Sequence, residues 1–155
     1  MRTFVVLLFS ILGATFAQAQ SSDDIVGVWK ISCDEGPCQG FLNLRVEGED
    51  VLSISVLADP NTGRGTLIVN VPLMVALPPG LRVSKDGHDP FDYAFQFCGE
   101  GGCTAVAPLD ARAFDLFKTS DSMKFSYITY GEQSPIVYEA PITGFAEAVE
   151  SLRNR

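Results

Sequence analysis

The chain is poor in the residues that enzymes most often use. It has one histidine, His88, and one tryptophan, Trp29. No G-x-S-x-G elbow, H-E-x-x-H pair, phosphate loop or dinucleotide fingerprint occurs, so the sequence names no nucleophile, zinc protease site or nucleotide cradle. Positive charge is also scarce: 11 basic residues stand against 19 acidic ones, a formal net charge of -8. Such a chain repels phosphate backbones and anionic lipid surfaces, and no basic cluster offsets this; nucleic acid is excluded as a partner. After the first twenty residues there is no second long apolar stretch, no repeat and no low-complexity tract, so no stable membrane span is expected.

What is present at the start has the form of a secretory signal. Arg2 precedes a mostly apolar run from Thr3 to Gln18 that ends in Ala17-Gln18-Ala19, a small-x-small cleavage site. The run falls short of the roughly 20 apolar residues that a span needs. Cleavage after Ala19 is expected, leaving residues 20–155 as a single domain. The first cysteine is Cys33, so lipid attachment at a new N-terminal cysteine is not available. The expected location is periplasmic or secreted.

That compartment decides how the four cysteines are read. They come as two similar pairs, Cys33-Asp-Glu-Gly-Pro-Cys38 and Cys98-Gly-Glu-Gly-Gly-Cys103. An even count in an exported chain points to disulfides, and four cysteines allow three connectivities that sequence does not separate. Glycine and proline between neighbours favour Cys33–Cys38 and Cys98–Cys103. Two short-spaced pairs can also wrap a zinc ion, but an oxidising compartment weighs against it; no metal or cofactor is expected.

Most of the chain then reads in twos. Ile25, Trp29, Ile31 and Cys33 fall on one side of a first strand; Leu42, Leu44 and Val46 alternate with polar residues; Leu52, Ile54 and Val56 alternate with serines; and Leu67, Val69 and Val71 follow. The turn formers of Asp59-Pro-Asn-Thr-Gly-Arg-Gly65 imply a hairpin, not the calcium loop that an acid-x-Asn-x-Gly series resembles. Phe91, Tyr93, Phe95 and Phe97 alternate with smaller residues, placing four aromatics on one side of a strand, in a core or lining a pocket. Residues 108–118 and 143–152 carry apolar side chains at helical spacing, and strands are expected at 123–130 and 135–140. Seven or eight short strands with two helices predict a mainly β fold, an antiparallel β-sandwich with two short packed α-helices.

Two loops carry candidate sites. His88, between Asp86 and Asp89, has the composition of a general base or a weak metal site, and equally that of a solvated turn, which is preferred; no catalytic residue is assigned. The segment from Val71 to Gly80 is apolar but broken by three prolines, which withhold ladder donors and force a crossover or an exposed rim. Leu73, Met74, Leu77, Pro78, Pro79 and Leu81 form the candidate interaction surface, together with the Cys98–Cys103 loop.

In order and spacing these landmarks resemble the bacterial invasion-associated locus B family. The resemblance rests on the export signal, Trp29-Lys-Ile-Ser-Cys33 with Cys38, Val71-Pro-Leu…Leu77-Pro-Pro-Gly-Leu81, Lys85-Asp-Gly-His, Pro90-Phe, the Cys98…Gly102-Cys103 pair before Ala-Pro-Leu-Asp, and Thr143-Gly-Phe-Ala-Glu-Ala-Val. One departure stands out: Met74 occupies a place where the family usually carries glycine. The resemblance implies an exported cell-envelope protein linked to bacterial entry into host cells. It supplies no reaction, cofactor or catalytic residue. The expected function is therefore non-enzymatic interaction with a protein in the envelope or on a host surface, in invasion or in envelope integrity. The alternatives are a small-ligand (lipid, sugar or peptide) binding module and an inhibitor of a secreted hydrolase such as lysozyme, a basic partner that an acidic domain would attract. The oligomeric state is not legible.

Overall fold

The architecture is taken from a computed structural model, which describes residues 24–26, 28–33, 38–59 and 64–154. The expected signal and cleavage site lie outside these residues, as do residues 60–63 of the expected Asp59 to Gly65 turn. Among the described residues are eleven strands: β1 (Asp24–Val26), β2 (Trp29–Ser32), β3 (Gln39–Val46), β4 (Glu49–Ala58), β5 (Gly65–Val71), β6 (Leu81–Ser84), β7 (Phe91–Tyr93), β8 (Phe95–Gly99), β9 (Gly102–Pro108), β10 (Ser122–Tyr127) and β11 (Ile136–Pro141). Two helices complete the fold, α1 (Ala111–Thr119) and α2 (Phe145–Arg153).

All pairings are antiparallel. Seven strands form one sheet in the order β1-β2-β3-β4-β5-β9-β8, and four form a second, β11-β10-β6-β7. The period-two pattern decides which face is buried: Leu52, Ile54 and Val56 of β4, Leu67, Val69 and Val71 of β5, and Ala105 and Ala107 of β9 all point inward. From the second sheet, Leu81, Val83, Met123, Phe125 and Tyr127 join the same apolar cluster. The result is the mainly β, sandwich-like fold that the alternation predicts.

The helices close the open side of the larger sheet. α2 packs on β1 to β4, where Phe145 meets Trp29 edge to face with ring centroids 5.7 Å apart. Trp29 also donates its indole N–H to the Ile142 carbonyl at 3.3 Å. Phe117 of α1 fills the gap between Phe145 and Phe125 of β10. α1 starts later than its apolar spacing implies, because Pro108 still belongs to β9. Asp110 then caps the helix, its carboxylate accepting the Ala113 amide at 2.7 Å. α2 begins after Gly144, at φ 90°, and the Thr143 hydroxyl donates to the Asp121 carbonyl instead of capping it.

Backbone irregularities overturn simple alternation. The residues expected as one first strand are two, since the chain reverses between Val26 and Trp29. The aromatic run at 91–97 is likewise divided. Phe91 and Tyr93 lie on β7 in the smaller sheet; the chain crosses at Ala94, and Phe95 and Phe97 lie on β8 in the larger one. A register shift on β8 then sets Phe95 opposite Ala105 but Phe97 opposite Thr104. An extra residue reverses the face on which the next side chain emerges. Phe95 packs on the core, and Phe97 is 63% exposed on the outer face. The four aromatics do not share one side.

Candidate interaction surface

The Val71–Leu81 segment is a crossover between the two sheets. Its prolines allow one isolated bridge, Val75 to Thr129, with Val75 turned into the core. The two backbone bonds of that bridge hold the segment against the end of β10: Ala76 N–H to the Ile128 carbonyl at 2.8 Å, and Tyr130 N–H to the Met74 carbonyl at 2.6 Å. Between these anchors Leu73, Met74 and Leu77 are 48%, 68% and 53% exposed, and Pro78 and Pro79 are exposed beside them.

Leu81 is the exception and a correction. It is fully buried, because it opens β6, pairs with Tyr93 and alternates inward with Val83. Gly80 before it has φ 70°, and a side chain there would strike the Tyr93 carbonyl. The rim therefore ends at Pro79. Tyr130, exposed next to Met74, joins it; nothing in the sequence marks this residue, because only the β10 end brings it there.

Met74 has φ 69°, in the left-handed region. A side chain in that conformation costs roughly 1–2 kcal/mol, which is why glycine is preferred there. This accounts for the glycine expected at the position. Here a long apolar side chain is held out in water at the cost of that strain.

The rim continues into a cleft of about 290 Å³ that joins the two segments singled out by sequence. Pro72 and Leu73 form one side and Glu100 to Gly102 the other, with Leu52, Ser53 and Asn70 between them. Asn70 donates to the Thr104 hydroxyl at 3.1 Å, fixing its amide in the wall. Asp50 also lines the cleft; its hydrogen bonds from Arg45, at 2.6 and 3.3 Å, hold its carboxyl below the usual carboxylate range.

Each cysteine pair closes on itself. Cys33 and Cys38 have Cα atoms 4.1 Å apart, and Cys98 and Cys103, directly opposite on β8 and β9, 4.0 Å apart, with the sulfurs at bonding distance. The pairs sit toward opposite edges of the larger sheet, so the four thiols do not gather around a zinc ion. Among the described residues no group of three or more His, Cys, Asp or Glu could hold a metal.

The His88 loop is an ion-paired turn. Asp86 accepts from Lys124 at 2.7 and 2.8 Å, which lowers its carboxyl pKa, and Asp89 lies 4.0 Å from Arg112. The Arg112 guanidinium sits 4.1 Å over the Phe91 ring. His88 is exposed on the turn, and the two aspartates face these cations. Among the described residues, no helix is long and apolar enough to cross a membrane.

Fold and surface together define a class: a mainly β, two-sheet domain with two short cysteine rings and an apolar rim at one end. Residues 29–153 match the family described as Invasion associated locus B (IalB) protein, and the chain belongs to that family. Its fold is similar to the crystal structure of invasion associated protein b from Bartonella henselae, with a TM-score of 0.77 at 18% identity, covering 85% of this chain and 96% of that one. No curated protein sequence matches the chain.

Proposed function

We propose that this protein is an exported, non-enzymatic interaction protein that holds a protein partner, in the cell envelope or on a host surface, against the rim of Leu73, Met74, Leu77 and Tyr130. The observation that carries the reading is Met74: an exposed apolar side chain kept in a left-handed conformation by its neighbours' hydrogen bonds. Strain of this kind persists where the surroundings over-determine it, and it clusters at binding sites. The signal-like start and the two cysteine rings support export into an oxidising space. Peptide mapping without reduction should recover Cys33 joined to Cys38 and Cys98 to Cys103.

The test is cross-linking in the native cell through a C-terminal tag, followed by identification of the captured molecule. The Met74→Ser/Leu77→Ser variant should keep its melting temperature and lose the capture. Unchanged capture by a folded variant would remove the rim from the proposal.

A second reading, small-ligand binding, is supported by the cleft and not by the aromatic run. It expects a raised melting temperature with a lipid, sugar or peptide ligand, since binding only the folded state stabilises it. That rise should disappear when Asn70 is replaced by leucine.

A further inference from the structure

Among the described residues four strands end the two sheets, and three of them carry charge or proline against pairing. β1 has three residues and starts with an aspartate; β7 has three, with Asp92 tied to Arg82 at 2.7 Å; and β11 follows Pro135, carries Glu139 and ends at Pro141. Short length, charge, proline and bulges are the devices that keep an edge from templating another strand. β8 has the register shift between Phe95 and Phe97 but neither charge nor proline. Phe95-Gln96-Phe97-Cys98-Gly99 is five residues long, uncharged and free of proline, and every residue after Phe95 is exposed. Among the described residues its backbone bonds only to β9, leaving the outward N–H and C=O groups to solvent.

We infer that β8 is a strand-addition site, and that its occupant is an extended, cationic segment of a partner protein. Edge pairing supplies main-chain hydrogen bonds, while side chains on alternate positions set the choice of partner. On the outer face Phe97 stands beside Thr104 and Asn70, which suits an apolar residue on the added strand. Charge selects the remainder. The chain carries -8 overall, and Glu100, immediately after β8, makes no ion pair or side-chain hydrogen bond among the described residues. A lysine- or arginine-bearing strand is attracted by that field; a second copy of this chain is repelled by it. The site borders the Met74 rim, since Asn70 and Glu100 also line the cleft that continues it, but its main-chain pairing does not involve Met74.

The probe is a blocked octapeptide of alternating valine and lysine, compared with one of alternating valine and glutamate. Hydrogen exchange in the full protein should slow with the lysine peptide only, at those amides between Gln96 and Gly99 that point away from β9, and the protection should weaken as salt is raised. Phe97→Lys, which leaves the backbone able to pair, should raise the Kd by about tenfold or more. Gln96→Pro should abolish the protection. Met74→Ser/Leu77→Ser should leave it intact, which separates failure here from failure of the rim. The inference is overturned if protection appears at Ile136 to Glu139 instead, if the glutamate peptide binds equally, or if a folded Phe97→Lys protein binds as before. A dimer of the free protein that Phe97→Lys dissolves would also overturn it, by assigning the edge to a second copy.

Discussion

The amide of Tyr130 donates to the carbonyl of Met74 at 2.6 Å, joining the end of β10 to the sheet crossover. That bond fixes Met74 on the carbonyl side, and the neighbouring bond from Ala76 to Ile128 fixes the segment beyond it. Both bonds lie on the C-terminal side of the Met74 Cα and tie the left-handed turn to the residues that follow β10.

Met74→Gly separates the strain from the surface. Relief of the left-handed conformation offsets the extra freedom glycine gives the unfolded chain, so stability should stay level or rise by up to about 1 kcal/mol. Partner capture should fall, because the apolar side chain is gone. Urea unfolding alongside cross-linking checks both; a loss above about 1 kcal/mol would mean that Met74 is held for packing.

Phe145→Ala should be among the costly core substitutions. The ring is buried against Trp29, Phe114 and Phe117, with centroids 5.4–5.7 Å away. Truncating a buried phenylalanine costs about 3–5 kcal/mol through lost transfer energy and a residual cavity. Chemical denaturation at constant slope measures it. A cost below about 1 kcal/mol would show that α2 is loosely seated on the sheet.

Gly102→Ala tests how the cleft is built. Gly102 has φ 125°, and an added side chain would meet the Val71 carbonyl and the Asn70 amide oxygen. The β5–β9 pairing there must open, at a cost above about 2 kcal/mol. Amide exchange should rise first at Val71 and Cys103, which face each other across that ladder. If exchange rises uniformly, the close approach is not what holds this end together.

The pH dependence has two limbs of opposite sign. Hydrogen bonds from Arg45, Lys124 and Arg82 lower the carboxyl pKa values of Asp50, Asp86 and Asp92. The unfolded chain therefore takes up these protons first, so the stabilisation is present above about pH 4 and lost as pH falls through the lower folded values. Burial raises Tyr93 and Tyr127, so their contribution is present below about pH 10 and lost as pH rises further. Urea midpoints should form a plateau between these limits. Added salt should flatten the acid limb, since its ion pairs are exposed. A midpoint that peaks sharply near neutral pH would contradict this assignment.

Alternating side chains were sufficient to read β5, and β4 from Leu52 onward, because a strand with one buried face repeats every two residues. The register shift at Val51 leaves Val51 and Leu52 both buried, and β10 ends at Tyr127, three residues before the expected end. The helices were legible to within a few residues; their starts shifted because β9 kept Pro108 and because Thr143 found a partner in Asp121. Where the backbone leaves its regular period, the reading failed. One added residue in β8 turned Phe97 outward, and the change of sheet at Ala94 divided a run that looks continuous. Leu81 looked like part of an apolar rim because nothing local shows where the crossover ends and β6 begins.

By itself, then, the sequence determined the strand-rich class, the acidic surface, the pairing of near cysteines as the favoured option, and the position of an apolar, proline-broken crossover. These depend on composition and on neighbours within a few residues. The tertiary structure decided which apolar residues of that crossover face water, that Tyr130 stands beside Met74, that the crossover and the Cys98–Cys103 loop share one cleft, and that β8 is left as an open edge. Each depends on strands far apart in sequence being brought side by side, where register and sheet order, not local pattern, set what is exposed.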